Sequence, residues 1–476
     1  MFLSGFYRAG PGNHFETVAS TGLLLRGMDY LAFVGILHPG PVRSLLRPAF
    51  AALAPGFVMV VMACGGYESP GGSSPLPTSR ANIQPTVTSP DRSPTPEITA
   101  SATSSPRPLP TFPPPTPAAL GTRPDALNLT DGFSPDEPAR PGSTDVLWPS
   151  GDDLVGGTLT IPAGWVSGEV LPAVLLVADG GGADRDWVSP SIPGINGSGR
   201  LLAAAMADEG YITLRYDGRG TGRRFAETAP LPGENRLGDS VDEVSGAIEF
   251  LASRPEVDRD RIFVVAHDEG ALYVLLRERQ SSEPGVVAGP AVAGIALLSP
   301  SGLTLRQQVI RRLGELTTGP EDEPLLGRFD AAMAFFIEGT LPAGDPGLTP
   351  SLQMLFDNLS HPLNQPYISE IWNLDIVSLL PEIEPPVLVL IGQADSELDW
   401  PVDGGKWEEA VAPGQDVRFA YPARADHVLK LVSLDAVSGN VETGLATYNV
   451  FGRTLDGETV DVLLDWLNEK SGLSAP

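Results

Sequence analysis

The chain has 476 residues, and its 59 Asp plus Glu against 31 Lys plus Arg give a formal net charge of −28. Its only lysines are Lys406, Lys430 and Lys470 and its arginines are scattered, so no basic patch is available for a nucleic-acid backbone. One Cys excludes an intrachain disulfide and a Cys-based zinc cluster, while a 42 % hydrophobic content suffices for a substantial core.

Residues 1–41 have no signal-like logic of their own and read as a leader outside the native protein, with translation starting nearer Met28 or Val42. Segment 48–63 is almost wholly apolar, follows Arg43 and Arg47, and stops at Cys64. Sixteen residues are short for a membrane span, which needs about 20, but fit the apolar region of an export signal. Val61-Met62-Ala63-Cys64 resembles a bacterial lipobox, in which a small residue precedes a lipidated Cys that becomes the mature N-terminus. Residues 42–64 are therefore expected to be a lipoprotein signal, with the chain exported and anchored through Cys64 to the outer face of a bacterial membrane.

Residues 65–124 contain 15 Pro, 9 Ser and 9 Thr, a composition with too little apolar surface to offset chain entropy. The segment 65–143 reads as a disordered tether. From 144 to 476 the pattern changes to short aliphatic runs alternating with helical stretches. Strands are predicted over 154–161, 173–177, 211–216, 262–266, 292–298, 387–391 and 417–421, and helices over 200–209, 239–253, 270–279, 406–411 and 460–468. Continuous apolar strands alternating with amphipathic helices imply an α/β fold, a mostly parallel sheet covered on both faces. Its chemistry is expected at the carboxyl ends of the strands. Residues 300–381 break the alternation and read as a helical cap, with Phe335, Phe336, Leu355, Phe356 and Trp372 read as forming its core rather than lining an apolar pocket.

Ala266-His267-Asp268-Glu269-Gly270 lies directly after one predicted strand and before a helix. This is where an α/β hydrolase carries its Gly-x-Ser-x-Gly nucleophile elbow. The chain resembles that superfamily from about 150 to 470. The esterase, dienelactone-hydrolase-like and serine-aminopeptidase-like branch is suggested by Arg215–Gly222, Arg254–Asp258, Asp184–Asp186 and Asn364–Pro366. The resemblance implies the chain order nucleophile, acid, histidine: Asp268 in place of the Ser, Asp395 after strand 387–391 with Asp399 and Asp403 as alternatives, and His427. Of the five histidines, His14 and His38 lie in the leader, His267 in the elbow and His361 in the cap, which leaves His427 as the base. Backbone N–H groups of Gly180 or Gly181 and of Glu269 are the oxyanion candidates, although Asp179 beside them opposes an oxyanion and the superfamily's usual His-Gly is absent.

Three readings are open. The first is a membrane-anchored hydrolase of small ester-like or related substrates, acting through Asp268, Asp395 and His427. The second is a hydrolase-like lipoprotein that has lost catalysis and binds a ligand or an envelope partner. The third is epoxide-hydrolase or dehalogenase-type chemistry, in which Asp268 forms an alkyl ester that a His-activated water cleaves. Ser299 or Ser301 are alternative nucleophiles. Flanking of His427 by Asp268 and Asp395 would stabilise its imidazolium. The Gly-x-Gly at 218–222 reads as a tight turn, because no Lys stands where a phosphate loop requires one. Asp184 and Asp186 read as a solvated loop, no metal or cofactor is expected, and the expected state is a monomer acting on a small molecule. Mass spectrometry of the native protein should recover no peptide from residues 1–27, and their recovery would overturn the leader assignment.

Overall fold

In the computed structural model residues 140–473 are described, apart from 152, 181, 225–227, 231–232, 284–285, 287–288, 317–322, 340–346 and 434–443. The expected leader, signal, lipidated Cys64, nearly all of the tether and Gly181 therefore lie outside the described residues. Among the described residues no helix is long and apolar enough to cross a membrane.

The strands are β1 (Gly142–Ser150), β2 (Asp153–Ile161), β3 (Leu171–Val177), β4 (Ile212–Asp217), β5 (Val257–His267), β6 (Gly294–Leu298), β7 (Val387–Leu390) and β8 (Val417–Ala420). They form one sheet in the order β1-β2-β4-β3-β5-β6-β7-β8. β1 and β2 run antiparallel, and β2 meets β4 antiparallel; all other neighbours are parallel. Such a sheet, with helices on both faces and a helical insertion between β6 and β7, is the α/β-hydrolase fold. β1 was not expected, and its first two residues, Gly142 and Ser143, fall inside the segment read as tether. Its residues are exposed or half-buried except Trp148, so the edge strand has no continuous apolar run to betray it.

The helices are α1 (Ser198–Asp208), α2 (Leu237–Ser253), α3 (Gly270–Ser281), α4 (Leu305–Leu316), α5 (Glu323–Ile337), α6 (Pro350–Leu359), α7 (Gln365–Ile371), α8 (Trp400–Ala410) and α9 (Gly457–Ser471). α8 begins six residues before the expected 406, because Pro401 fits the first turn, where its missing N–H costs nothing. α4 to α7 form the cap. Leu355, Phe356 and Trp372 are buried in it as expected, whereas Phe335 is 54 % exposed and so does not belong to its core.

Alternation along the strands divides the core between the two faces. Leu175, Val177, Val264, Ala266, Ile295 and Leu297 meet α2, α3 and the cap, while Val174, Leu176, Phe263, Val265, Ala296 and Leu298 meet Leu202 and Met206 of α1 and Leu463, Trp466 and Leu467 of α9. Asp456 caps α9 by accepting from Thr459 N at 3.0 Å, and Gly472 ends it in the left-handed region.

The loop Asp184–Asp186 is not the solvated pair that the sequence suggested. Arg185 is buried and donates to Asp217 through Nε at 3.0 Å and Nη2 at 2.6 Å, and through Nη1 to Asp145 at 3.0 Å. Asp186 pairs with buried Arg215. These contacts tie the loop after β3 to the end of β4. Gly222 lies so close to Asp217 that a Cβ would sit 2.1 Å from its Cγ, and Thr221 N donates to Gly218 O at 3.1 Å, so 218–222 is a tight turn.

Trp466 is fully buried edge-to-face on Phe263, with ring centroids 6.2 Å apart, and fills the space left by Gly294. Trp466→Ala should lower unfolding free energy by about 3–5 kcal/mol, read by urea denaturation.

Candidate active site

The site is assembled at the carboxyl ends of three adjacent parallel strands, β5, β6 and β7, together with the loop that carries His427. β5 ends at His267, and Asp268 turns into α3 with φ +46°. That left-handed backbone costs a non-glycine residue on the order of 1–3 kcal/mol. Three features hold it. Asp268 N donates to Leu298 O of β6 at 2.9 Å. Asp268 O accepts from Ala271 N at 3.1 Å, the first turn of α3. Gly270 has no Cβ, which would lie 2.6 Å from Ala178 O, so the turn closes tightly on the loop after β3.

β7 leads through Ile391–Ala394 to Asp395, whose Oδ1 accepts from Glu397 N at 2.7 Å and Leu398 N at 3.0 Å. Its Oδ2 accepts from His427 Nδ1 at 2.9 Å. This assigns the proton of that bond to Nδ1 and directs Nε2 toward Asp268, whose Oδ2 is 3.8 Å away. At that separation the pair is an ion pair rather than a hydrogen bond, and Nε2 is buried without a hydrogen-bond partner. The Asp395 side chain is fully buried, that of His427 is 2 % exposed and that of Asp268 16 % exposed, so the Asp268 carboxylate is the part of the trio that solvent and ligands reach.

Two side chains that the sequence did not assign to this role hold the histidine from behind. His267 Nε2 donates to His427 O at 2.9 Å, and Ser299 Oγ donates to the same oxygen at 2.8 Å. His267 lies stacked on Trp187 with centroids 5.1 Å apart, and burial, then the charge on His427, pushes its imidazolium down to about 4. It is neutral at neutral pH and serves as a fixed donor. Ser299 is fully buried with its hydroxyl engaged, and Ser301 Oγ donates to Asp403 Oδ1 at 2.9 Å, so neither alternative serine is exposed as a nucleophile. Asp403 is also paired with Arg311 at 3.0 Å and accepts from Asp399 N. Of the three candidate acids, Asp395 alone contacts His427.

Burial alone would drive the His427 imidazolium down, but Glu397, Asp395 and Asp268 outweigh it and raise its proton affinity well above the ordinary value. Burial alone would likewise raise Asp268; His427, His267 and the Glu269 backbone N–H outweigh it and hold the carboxyl below its usual range. The resting pair is therefore carboxylate and imidazolium. The Glu269 N–H, an oxyanion candidate, is one of the groups that favour the ionised form of Asp268's own carboxylate.

The second oxyanion candidate, Gly180, lies against the Glu269 side chain: a Cβ there would meet Glu269 Oε1 at 2.1 Å and Tyr273 Oη at 2.2 Å. Glu269 Oε1 accepts from Tyr273 Oη at 2.7 Å and from Tyr367 Oη of the cap, and the two hydroxyls are 2.7 Å apart. Burial, joined by Asp268 and Asp179, pushes the Glu269 carboxyl up to about 8. The region meant to receive an oxyanion is thus surrounded by acids. Among the described residues no group of three or more His, Cys, Asp or Glu is arranged to hold a metal ion.

The sequence matches no family model and no curated protein. Solved structures similar to this chain include the α/β hydrolase GrgF from Penicillium sp. sh18, at 16 % identity over 70 % of this chain and 99 % of that one, with a TM-score of 0.40. Another is an esterase from Pyrococcus furiosus, at 15 % identity over 69 % and 91 % of the two chains, with a TM-score of 0.41. A proline iminopeptidase from Mycobacterium smegmatis is similar at 16 % identity over 69 % and 99 %, with a TM-score of 0.41.

An acid whose proton affinity is raised by folding stabilises the fold below its unfolded value and loses that contribution as pH climbs through its folded value. For Glu269 the window runs from about 4.5 to about 8. Glu269→Gln keeps an acceptor for both tyrosine hydroxyls and should gain stability relative to wild type as pH rises across that window. Urea denaturation at pH 5 and pH 8 reads it; an equal difference at the two values would overturn the assignment.

Proposed function

We propose that the chain is a hydrolase whose nucleophile is the Asp268 carboxylate and whose target is a saturated carbon bearing a leaving group. The observation that carries this reading is the ionised, partly exposed carboxylate at a strained elbow, 3.8 Å from a buried imidazole nitrogen that has no hydrogen-bond partner. Attack on an acyl carbon would join Asp268 to the acyl group as a reactive anhydride. Displacement at a saturated carbon gives an ordinary ester.

In the first step an Asp268 oxygen forms a bond to carbon as the bond to the leaving group breaks, and the leaving group takes the electron pair. No base is needed, which suits a site whose histidine is already protonated. Esterification removes the Asp268 charge, one of those that hold the His427 proton. His427, having released its Nε2 proton to solvent, takes a proton from water through Nε2 as the water oxygen attacks Asp268 Cγ, while Asp395 keeps Nδ1 protonated. Negative charge then develops on Asp268's own oxygen, beside the Glu269 N–H that already favours the ionised form of this carboxyl. Collapse expels the alkoxide, His427 returns its proton to it, and the Asp268 carboxyl passes its own proton to His427, which restores the resting carboxylate and imidazolium. This use of the amide also accounts for the acidic surroundings of Gly180: no oxyanion of the substrate has to form there.

The expected anchor at Cys64 would place this chemistry at the outer face of a cell membrane, on a small-molecule substrate, with the protein as a monomer. The imidazolium state of His427 favours a second reading, a ligand-binding protein that does not turn over, since a protonated histidine is not a base.

Single turnover of alkyl halides and epoxides in H2(18O) should place 18O in the Asp268 peptide before it reaches the product alcohol. His427→Gln should accumulate an ester adduct on that peptide, and Asp268→Ala should lose at least about 10^3-fold in rate. Turnover with Asp268 unlabelled sinks the nucleophile assignment. Absence of both turnover and adduct across halide, epoxide and aryl-ester panels supports the binding protein.

A further inference from the structure

Glu397 stands two positions beyond Asp395, the acid that holds the His427 ring, and is built into the same site. Its backbone is fixed from two sides: its N–H donates to Asp395 Oδ1 at 2.7 Å, and its carbonyl accepts from Arg311 Nη2 of the cap at 3.3 Å. Only 7 % of the residue is exposed, and Oε1 is buried without a hydrogen-bond partner. Arg311 does not neutralise it, since that guanidinium is paired with Asp403 at 3.0 Å. A buried carboxyl with an unmatched oxygen is costly unless a nearby charge or a function retains it. The imidazole of His427, whose Nε2 is also buried and unmatched and whose Nδ1 is held by the neighbouring Asp395, is the cation whose charge acts on it.

We propose that Glu397 is a positioning residue of this site, the carboxylate that decides when His427 gives up its proton for the water step. The inference rests on the reading of His427 as the base. Groups from three parts of the chain touch the imidazole or act on its charge. Asp268 and His267 come from the elbow, Asp395 and Glu397 from the loop after β7, and Tyr448, stacked on the ring with centroids 6.3 Å apart, from the segment before α9. Asp426, next to it in the chain, is taken up by Arg453 at 2.7 Å and by Lys430 N at 2.7 Å. His267 is neutral and Tyr448 is kept protonated by burial and by Glu397 and Asp395. The balance is therefore one imidazolium against Asp268, Asp395 and Glu397.

Ester formation removes Asp268 from that balance, and Asp395 is committed to Nδ1, whose proton stays in place. Glu397 is the remaining variable. Burial, helped by Asp395 and Asp268 against His427 and the Tyr448 hydroxyl, pushes its carboxyl up to about 7, so its charge changes within the neutral range. While Glu397 is ionised, it holds the imidazolium; when it is neutral, His427 releases the Nε2 proton to solvent more readily and can accept one from water.

The test is a titration of His427 by NMR of imidazole-labelled full-length protein, with the signal assigned by its loss in His427→Gln. Glu397→Gln removes the charge with little change of shape and should move the His427 midpoint down by about one pH unit or more. Glu397→Asp, which keeps a carboxylate, should lie nearer the wild type. Glu397→Met supplies the same loss of charge if the Gln variant does not fold. An unmoved midpoint in a folded Gln or Met variant overturns the proposal. The titration uses resting protein and no substrate, so a failure of the Asp268 reading would leave it legible. Where the alkyl-enzyme forms, its decay should show the same displacement of the rising limb of the pH profile, about tenfold faster per unit below the wild-type midpoint, with an unchanged plateau. A merely structural role would lower the plateau and leave the midpoint in place.

Discussion

Everything in this site depends on where the main-chain carbonyl of His427 is held. Two donors from adjacent strand ends, His267 Nε2 of β5 and Ser299 Oγ after β6, converge on that single oxygen, and a third strand, β7, sends Asp395 to the ring itself. A loop histidine has many rotamers and a mobile backbone in isolation. Three contacts from one rigid parallel sheet remove that freedom and put Nε2 beside the elbow, where a displacement of even about 1 Å would matter for chemistry. His267 does this as a neutral imidazole, a consequence of its burial and of the charge on His427, so it adds no second cation beside the first.

Burial also sets the electrostatics. The chain is strongly acidic, and at this site acidity is concentrated: Asp268, Asp395 and Glu397 act on one charged imidazole, and Asp268 and Asp179 act on the Glu269 carboxyl. Carboxylates so close together cannot all be ionised in a partly dry cleft. They divide according to their partners. Asp268 has the imidazolium and a backbone N–H and stays ionised; Glu269, whose partners are two tyrosine hydroxyls, is held largely neutral. A serine esterase needs a positive or dipolar pocket for the substrate's oxyanion, and this arrangement opposes one. A carboxylate nucleophile that carries its own oxyanion tolerates it, because the charge appears on Asp268 and not beside Asp179.

The cap reaches the site from two sides. Tyr367 of α7 meets the Glu269–Tyr273 pair of the elbow helix, so a cap element and the catalytic-type core share a hydrogen-bonded cluster. Arg311 of α4 does the same on the other side, by pairing with Asp403 and holding the Glu397 carbonyl. The cap is thereby tied to both the loop after β5 and the loop after β7, the two segments that present Asp268 and Asp395.

Seven of the eight strands and the three chain positions at the heart of the sheet were legible in the amino-acid order alone. Strands such as β3, β5 and β7 are continuous apolar runs because both of their faces are covered, and a polar residue at the end of such a run has to emerge at the edge of the sheet. Asp268, Asp395 and the His427 loop are legible for that reason. β1 was not, since a half-exposed edge strand leaves no such run, and the early start of α8 was hidden by Gly404 and Gly405 inside it. Glu397, His267, Ser299, Tyr273 and Tyr367 were not legible as site residues either. Glu397 is two positions from Asp395 and would read as one more acid in an acidic chain; His267 and Ser299 were visible only as a neighbour of the elbow and as a spare hydroxyl. What they do depends on which atom each meets and on how much water remains around it. Hydrogen-bond partners and desolvation come from segments far apart in the chain, so only the tertiary structure decided which acids are charged and which proton the histidine carries.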